Sequence, residues 1–114
     1  MTKKAAKVGV EQGAAFERAA KLFGVLATPV RLRIIGELCA SETNVTHLLG
    51  AINVSQPNMS RHLNVLFKAG IVSRRRSGAN VIYALANPSV VSICKTVCTE
   101  MDTELARSHG SIEI

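Results

Sequence analysis

The chain has 114 residues, of which 47% are hydrophobic, and it carries 14 Lys and Arg against 8 Asp and Glu. This length is enough for one domain with one core and too short for two. The formal net charge of +6 and the pI near 9.7 favour a polyanionic partner. No apolar run approaches the roughly 20 residues of a membrane helix, and no secretory signal is visible, so we expect a cytoplasmic protein that does not contact membranes.

The first part of the chain predicts a basic tail and two helices. Residues 1–9 carry three lysines without an apolar period, which is typical of a flexible tail. From Val10 to Leu26, helical spacing predicts a first amphipathic helix with Phe16, Ala19, Ala20, Phe23 and Leu26 on one side. Thr28 as N-cap and Pro29 in the first turn begin a second helix that reaches about Ala40. Its expected buried stripe is Leu32, Ile35, Leu38 and Cys39.

The middle of the chain predicts a helix-turn-helix. The polar run Ser41–Asn44 breaks the pattern before a short helix from about Val45 to Ile52, and Asn53 makes the turn into the next helix. In that next helix, Ser55 is the expected N-cap, with Pro57 in the first turn and Gly70 as the C-terminal cap. Two short helices joined by a tight turn are typical of DNA-binding proteins.

The second of these helices has two distinct faces. At about 100° per residue, one arc is apolar and contains Met59, Leu63, Leu66 and Phe67. Another arc is polar and contains Ser60, Arg61, Asn64 and Lys68, with Gln56 near its start. Gln and Asn can bond base edges, Arg can pair with guanine or phosphate, and Ser can reach either. The pattern predicts a helix that reads the major groove of double-stranded DNA.

A β-hairpin is expected after Gly70. The segments Ile71–Arg76 and Val81–Leu85 flank the Gly-containing loop Ser77–Asn80. The basic arm Arg74, Arg75 and Arg76 would lie near the end of the DNA-reading helix, where it suits phosphate or minor-groove contact. An ordinary solvated basic turn is the alternative interpretation.

The last predicted helix runs from Asn87 to about Arg107, with Pro88 in its first turn. It carries an apolar stripe that needs a surface to cover: Val90, Val91, Cys94, Val97, Cys98, Met101 and Leu105. Together with the first helix it predicts a homodimer interface, which would place two reading helices about 34 Å apart. The predicted fold class is mainly α with a small β-hairpin: a dimeric winged helix-turn-helix domain of residues 10–108, followed by a flexible terminus of residues 109–114.

Three segments together resemble the ArsR/SmtB family of bacterial winged-helix repressors: TPVRLRII (Thr28–Ile35), VSQPNMSRHLNVLFKAGIVSRRRSG (Val54–Gly78) and VIYAL (Val81–Leu85). The resemblance covers Phe16 to Leu105 and implies a homodimer that binds a palindromic operator and represses until an inducer weakens binding. It places in the DNA-binding helix Ser55, Gln56, Asn58, Ser60, Arg61 and His62, and in the wing Arg75, Arg76 and their neighbours. His62 projects away from the Ser60 and Asn64 face, which favours packing or a phosphate contact over base reading.

The chain departs from the family at its metal sites. The family's thiolate motif, of the form ELCVxDL, matches Glu42–Leu48, with Asn44 in place of its cysteine. The family's other common site uses Asp and His where this chain has Asn87 and Ser89. Neither site is intact, so no cofactor is expected, and any metal would depend on Cys94 and Cys98. A surface role is expected for His47 and His109.

The three cysteines are candidate effector-sensing thiols. Cys94 and Cys98 lie on adjacent turns of one helix face, where Cβ atoms are about 5–6 Å apart, against about 3.8 Å in a disulfide. A bridge of extra sulfur atoms, or a thiophilic ion such as As(III), fits more easily. Cys39 is expected to pack against the last helix as a third thiol. In the persulfide-sensing members of the family that the chain resembles, a second-helix cysteine pairs with one on the last helix. Cys98 matches the latter position, but the former falls on Gly36, three residues before Cys39.

Three interpretations of the cysteines stay open. In the preferred interpretation, reactive sulfur or an oxidant modifies the thiols and releases the protein from DNA. In the alternative, the protein is a repressor that responds to As(III) or a thiophilic metal. In the third, the cysteines are small buried residues with a structural role.

A redox enzyme is disfavoured, because a catalytic thiol needs an exposed electropositive pocket and Glu100 and Asp102 lie close by. A winged helix that binds only protein or RNA is disfavoured by the polar helix face and the arginine arm. The predicted function is a non-enzymatic DNA-binding repressor.

Overall fold

The computed structural model describes residues 10–97 and 99–100. In chain order, this part of the molecule contains α1 (Val10–Leu26), α2 (Pro29–Ala40), β1 (Thr43–Asn44), α3 (Val45–Ala51), α4 (Gln56–Lys68), β2 (Val72–Ser77) and β3 (Asn80–Leu85). A last helix, α5, covers residues 88–97, and residues 99–100 are also helical. The predicted tails, residues 1–9 and 109–114, lie outside the described residues.

Side-chain caps begin α2 and α4. The Thr28 hydroxyl accepts a hydrogen bond from the Arg31 backbone N–H at 3.1 Å, with Pro29 in the first turn. The Ser55 hydroxyl accepts from the Asn58 backbone N–H at 3.3 Å. Each cap satisfies one of the backbone donors that the first turn of a helix leaves unpaired. Both predicted N-caps are confirmed.

The end of α4 is fixed by the backbone at Gly70. This residue has φ +75°, and its N–H donates to the Phe67 carbonyl at 3.0 Å, while the Ile71 N–H donates to the Leu66 carbonyl at 3.0 Å. This pair of bonds is the Schellman motif, which favours glycine because a positive φ strains other residues. The Ile71 carbonyl in turn accepts from the Ala86 N–H at 2.9 Å, so Ile71 connects α4 with the segment between β3 and α5.

The sheet has one more strand than the sequence pattern indicated. Its order is β1-β3-β2, and both neighbouring pairs are antiparallel. The polar run Ser41–Asn44 was expected only to break the helical pattern, but Thr43 and Asn44 pair with Tyr83 and Ile82. A strand of two residues is too short to show the alternation by which strands are recognised.

The hairpin between β2 and β3 is confirmed, but its loop is shorter than the predicted Ser77–Asn80. Ser77 and Asn80 are the last paired residues, so only Gly78 and Ala79 form the connection. Gly78 has φ +63° at the first of these two positions, where a tight hairpin turn of the II′ kind requires a positive φ. The resulting wing, which we define as β2, β3 and their turn, therefore has a tight tip.

The core is built from the four helices α1 to α4, the β2–β3 hairpin and α5. Its side chains with 0% exposure are Ile34, Ile35, Leu48, Met59, Leu63, Leu66, Ile71 and Val90. The predicted apolar arc of α4 is confirmed in Met59, Leu63 and Leu66, and Phe67 packs at the edge of the core. This burial fixes the rotation of α4 about its axis and thus the face that it exposes.

Among the described residues of the single chain, four large apolar side chains remain exposed. Phe16 and Phe23 of α1 are 66% and 54% exposed, and Leu32 of α2 and Val97 of α5 are 46% and 47% exposed. The predicted burial of Leu32 is wrong, because at about 100° per residue Leu32 lies about 160° from Ile34, on the other side of α2. Among the described residues, no helix combines the length and the hydropathy needed to cross a bilayer.

Candidate nucleic-acid interface

The exposed side of α4 carries the polar residues expected to read DNA. Opposite the buried Met59, Leu63 and Leu66, the helix presents Gln56, Ser60, Arg61, Asn64 and Lys68 to solvent. Ser55 and Asn58 are also exposed, at the start of the same helix. This surface therefore combines three amides, two cations and two hydroxyls. These groups supply the hydrogen-bond donors and acceptors and the positive charge that suit base edges and phosphates.

Two of these side chains are already joined. The Arg61 Nη2 donates to the Asn58 Oδ1 at 2.7 Å, three residues away on the helix surface. This bond fixes the orientation of the Asn58 carboxamide and leaves its NH₂ group as a donor. The remaining N–H groups of Arg61 stay available to an acceptor outside the chain.

His62 lies beside this face and contacts the scaffold. Its Nδ1 accepts a hydrogen bond from the Arg31 Nε at 3.1 Å, and the Arg31 Nη1 donates to the Val25 carbonyl at 3.0 Å. Arg31 thus connects the end of α1 and the start of α2 with α4, the second helix of the helix-turn-helix, which we call the recognition helix. Partial burial, then the charges of Arg31 and Arg61, hold the pKa of His62 below its usual value of 6.5. Because Nδ1 accepts the bond, the neutral imidazole carries its proton on Nε2.

The three consecutive wing arginines lie in different surroundings. The Arg74 guanidinium carbon lies 3.8 Å from the centre of the Phe67 ring at the end of α4, a cation–π contact. Arg75 forms an ion pair with Glu42, which immediately precedes β1. Arg76 is exposed and has no hydrogen bond, ion pair or ring contact within the described residues.

Two of the positions that depart from the family's metal motifs, Asn44 and Asn87, are helix caps. The Asn44 Oδ1 accepts from the His47 backbone N–H at 2.8 Å and begins α3. The Asn87 Oδ1 accepts from the backbone N–H groups of Ser89 and Val90 at 2.9 and 3.2 Å, ahead of α5. The His47 ring contacts the Glu37 carboxylate at 3.3 Å. Among the described residues, no group of three His, Cys, Asp or Glu side chains could hold a metal ion.

The cysteines lie away from the polar face of α4. Cys94 is 5% exposed and belongs to the same apolar cluster as Leu63, and the half-buried Cys39 packs against that cluster. The side chain of Cys98 is outside the described residues, so the predicted pairing of Cys94 with Cys98 stays a prediction. Cys39 and Cys94 therefore contact the core that supports the recognition helix.

Two residues of the site were missed by the sequence patterns. Arg31 lies within the TPVRLRII segment, and Glu42 lies within the polar run Ser41–Asn44, but the sequence patterns assign a role to neither. Their partners are 31 and 33 positions further along the chain. Local periodicity holds no signal for pairs at such a separation.

These elements define a winged helix-turn-helix regulator with a basic wing. Residues 28–74 match the model of the bacterial regulatory protein family arsR. Over 77 residues the chain is 40% identical to the HTH-type transcriptional repressor SmtB of Mycobacterium tuberculosis, a match that covers 68% of this chain and 57% of that repressor. The chain belongs to the ArsR family, and the resemblance found in the sequence is confirmed.

Solved structures agree with this assignment. The crystal structure of Rv0081 from M. tuberculosis is 30% identical, with a TM-score of 0.68 over 83% of this chain and 97% of that chain. The homodimeric winged helix-turn-helix domain of Mb0332 from Mycobacterium bovis is 25% identical, with a TM-score of 0.75 over 90% and 94% of the two chains. The predicted class, a transcriptional regulator rather than an enzyme, is confirmed by the family and its named regulators.

Proposed function

We propose that this protein is a homodimeric transcriptional repressor that binds a palindromic operator in double-stranded DNA. The observation that carries the proposal is α4, in which Met59, Leu63 and Leu66 are 0% exposed while the polar residues of the opposite face are exposed. A helix held in this way presents a fixed set of donors and acceptors to a major groove. The named function of the SmtB relative, transcriptional repression, supports the same conclusion.

The contacts to DNA divide between bases and phosphates. Gln56, Ser60, Arg61 and Asn64 are the proposed base-reading residues, because amides and guanidinium groups bond base edges bidentately. Ser55, Asn58 and His62 lie at the start and flank of α4, where they suit phosphates, and the neutral His62 offers its Nε2–H as a donor. The wing arginines add cationic contacts that position the protein without specifying sequence.

The exposed apolar side chains of the terminal helices support the proposed homodimer. Phe16 and Phe23 are seven residues apart, so they share one face of α1, and both are more than half exposed. Large apolar groups in such positions mark surfaces that another protein covers. The homodimeric Mb0332 domain has the same fold. A second copy of this chain is therefore the proposed cover, and two-fold symmetry predicts a palindromic operator.

Fluorescence anisotropy tests the DNA-binding proposal. The probe is a labelled duplex of the DNA immediately upstream of the protein's own coding sequence, with a scrambled duplex of equal length and stated salt. We expect Arg61→Ala to weaken binding to the upstream duplex by about 1–3 kcal/mol and to relax specificity at one base pair. The matched control is Lys95→Ala, which removes one exposed cation from α5.

Three outcomes decide the test. Preference for the upstream duplex that Arg61→Ala reduces and Lys95→Ala leaves intact supports base reading by α4. An equal loss on both duplexes assigns Arg61 to a phosphate. Equal affinity of the wild-type protein for both duplexes, unaffected by Arg61→Ala, contradicts the proposal for this operator and favours a winged helix that binds another partner.

The proposed inducer acts on the cysteine thiols. Cys94 is buried in the cluster that contains Leu63 of α4, and Cys39 packs against that cluster. Because protein interiors are close-packed, an adduct on the buried Cys94 sulfur requires the surrounding helices to move. Such a movement changes the support of α4 and the spacing of the two recognition helices. Reactive sulfur or an oxidant is the preferred effector class, with As(III) or another thiophilic ion as the alternative.

The inducer is tested on the same duplex with protein treated separately with polysulfide, peroxide and arsenite. We expect one treatment to release the reduced, bound protein, and Cys94→Ser or Cys98→Ser to abolish that release. Cys39→Ser shows whether the third thiol takes part. Binding that no treatment changes, with mass spectrometry confirming the adducts, would show that the cysteines are structural.

A further inference from the structure

The sheet register separates the three wing arginines onto two faces. Side chains alternate along a strand, so Val72, Arg74 and Arg76 project from one face of β2 and Arg75 from the other. Val72 is 2% exposed and faces the core, and Arg74 contacts Phe67 of α4. The face that carries Arg74 and Arg76 is therefore the one toward the recognition helix.

The ion pair of Arg75 with Glu42 crosses the sheet. Because the strand order is β1-β3-β2, a contact between the residue before β1 and a residue of β2 passes over β3. Arg75, Ile82 and Asn44 form one row, since Ile82 pairs with both of the others. The Arg75 side chain is thus held along the sheet, away from α4, by the carboxylate of Glu42.

The pair remains open to solvent. The side chains of Arg75 and Glu42 are 56% and 49% exposed. Exposed ion pairs are weak, because water and salt screen them, so a competing anion can separate them. A DNA phosphate is such an anion, and the wing is where the proposed function brings DNA close to the protein.

We propose that Glu42 restrains the DNA affinity of the wing by occupying Arg75 in the free protein. This inference rests on the proposed function, and it assigns the arginines separate roles. Arg74 packs the wing against α4, Arg76 is available to a phosphate at once, and Arg75 becomes available only when its pair with Glu42 is broken. Glu42 is thus a positioning residue that acts through Arg75.

Glu42→Gln tests the restraint, because it keeps the size of the side chain and removes the charge. On the upstream and scrambled duplexes, we expect about threefold tighter binding near 0.1 M salt, the order of effect expected of an exposed ion pair. The plot of log affinity against log salt should also become steeper, by at most about 0.9, because salt weakens the ion pair that wild-type protein must break. In an Arg75→Gln background, Glu42→Gln should have neither effect.

Glu37→Gln is the matched control. Glu37 is also partly exposed, at 39%, but it contacts His47 rather than an arginine. Its removal measures the general effect of one less negative charge, with no steeper salt dependence expected. Circular dichroism spectra and thermal unfolding of each variant show that the fold is retained.

The remaining outcomes overturn the inference. Equal gains in DNA affinity for Glu42→Gln and Glu37→Gln, or a gain that persists in the Arg75→Gln background, would show that only the loss of a negative charge matters and not the release of Arg75. Weaker binding by Glu42→Gln would show that Glu42 presents Arg75 to DNA rather than withholding it. If the wild-type protein binds neither duplex, the proposed function itself is contradicted. If the wild-type protein binds DNA and Glu42→Gln binds with the same affinity, only this inference is contradicted.

Discussion

Two regions of the molecule differ in how completely a single chain covers their apolar side chains. One is the recognition side, formed by α4 and the wing, and the other is formed by the terminal helices α1 and α5. On the recognition side, α4 is supported by fully buried side chains, and Arg61 and His62 are held by hydrogen bonds within the chain. On α1 and α5, by contrast, Phe16, Phe23 and Val97 are exposed. The difference indicates that one chain can form the recognition surface, whereas the terminal helices need a cover that the proposed homodimer supplies.

The support of α4 gives the largest expected effect. Leu63→Ala removes a side chain with 0% exposure and leaves a cavity, so the free energy of unfolding should fall by about 2–5 kcal/mol. Urea denaturation followed by circular dichroism measures the loss. The neighbouring Asn64→Ala is the control, because an exposed substitution should change stability by less than about 0.5 kcal/mol while reducing DNA binding. Similar losses in the two variants would contradict the division of α4 into a supporting and a reading face.

The terminal helices are tested by self-association. Phe23→Glu places a charge on an apolar side chain that is 54% exposed in the single chain, so folding should survive and dimerisation should not. We expect at least a tenfold weaker dimer, about 1.4 kcal/mol, by analytical ultracentrifugation.

Lys21→Ala is the matched control for this experiment. It changes the charge of α1 by the same amount and is exposed about 200° around the helix from Phe23. An unchanged dimer in Phe23→Glu would show that this face of α1 is not the interface, and a monomeric wild-type protein would contradict the homodimer as a whole.

The smallest effect concerns pH and the link between α2 and α4. The pKa of His62 is lowered in the folded protein, so the unfolded chain binds a proton more readily. The stability from this group is fully present above the unfolded value of about 6.5, and it is lost as pH falls from there through the lower folded pKa. Thermal unfolding between pH 7.5 and 5 should show this loss, and His62→Gln should reduce it. His47→Gln, which keeps the Arg31–His62 bond, should retain it.

The parts of the fold that follow from local pattern were predictable. The faces of α4, the caps at Thr28 and Ser55 and the hairpin all depend on residues a few positions apart. The strand β1 and the pairs Arg31–His62 and Glu42–Arg75 depend on distant segments brought together by the fold. For the same reason, the sequence indicated the exposed polar face of α4 and the basic wing, but not Arg31, Glu42 or the different surroundings of the three wing arginines.

The backbone of Ile71 bears on how a change in α5 can reach the recognition helix. Its N–H bonds the end of α4 and its carbonyl bonds Ala86, two residues before α5 begins. Main-chain groups are common to every residue, so this mechanical connection does not depend on the side chains that α5 carries. Substitutions on α5 can therefore change the chemistry of that helix and still leave this backbone connection to α4 in place.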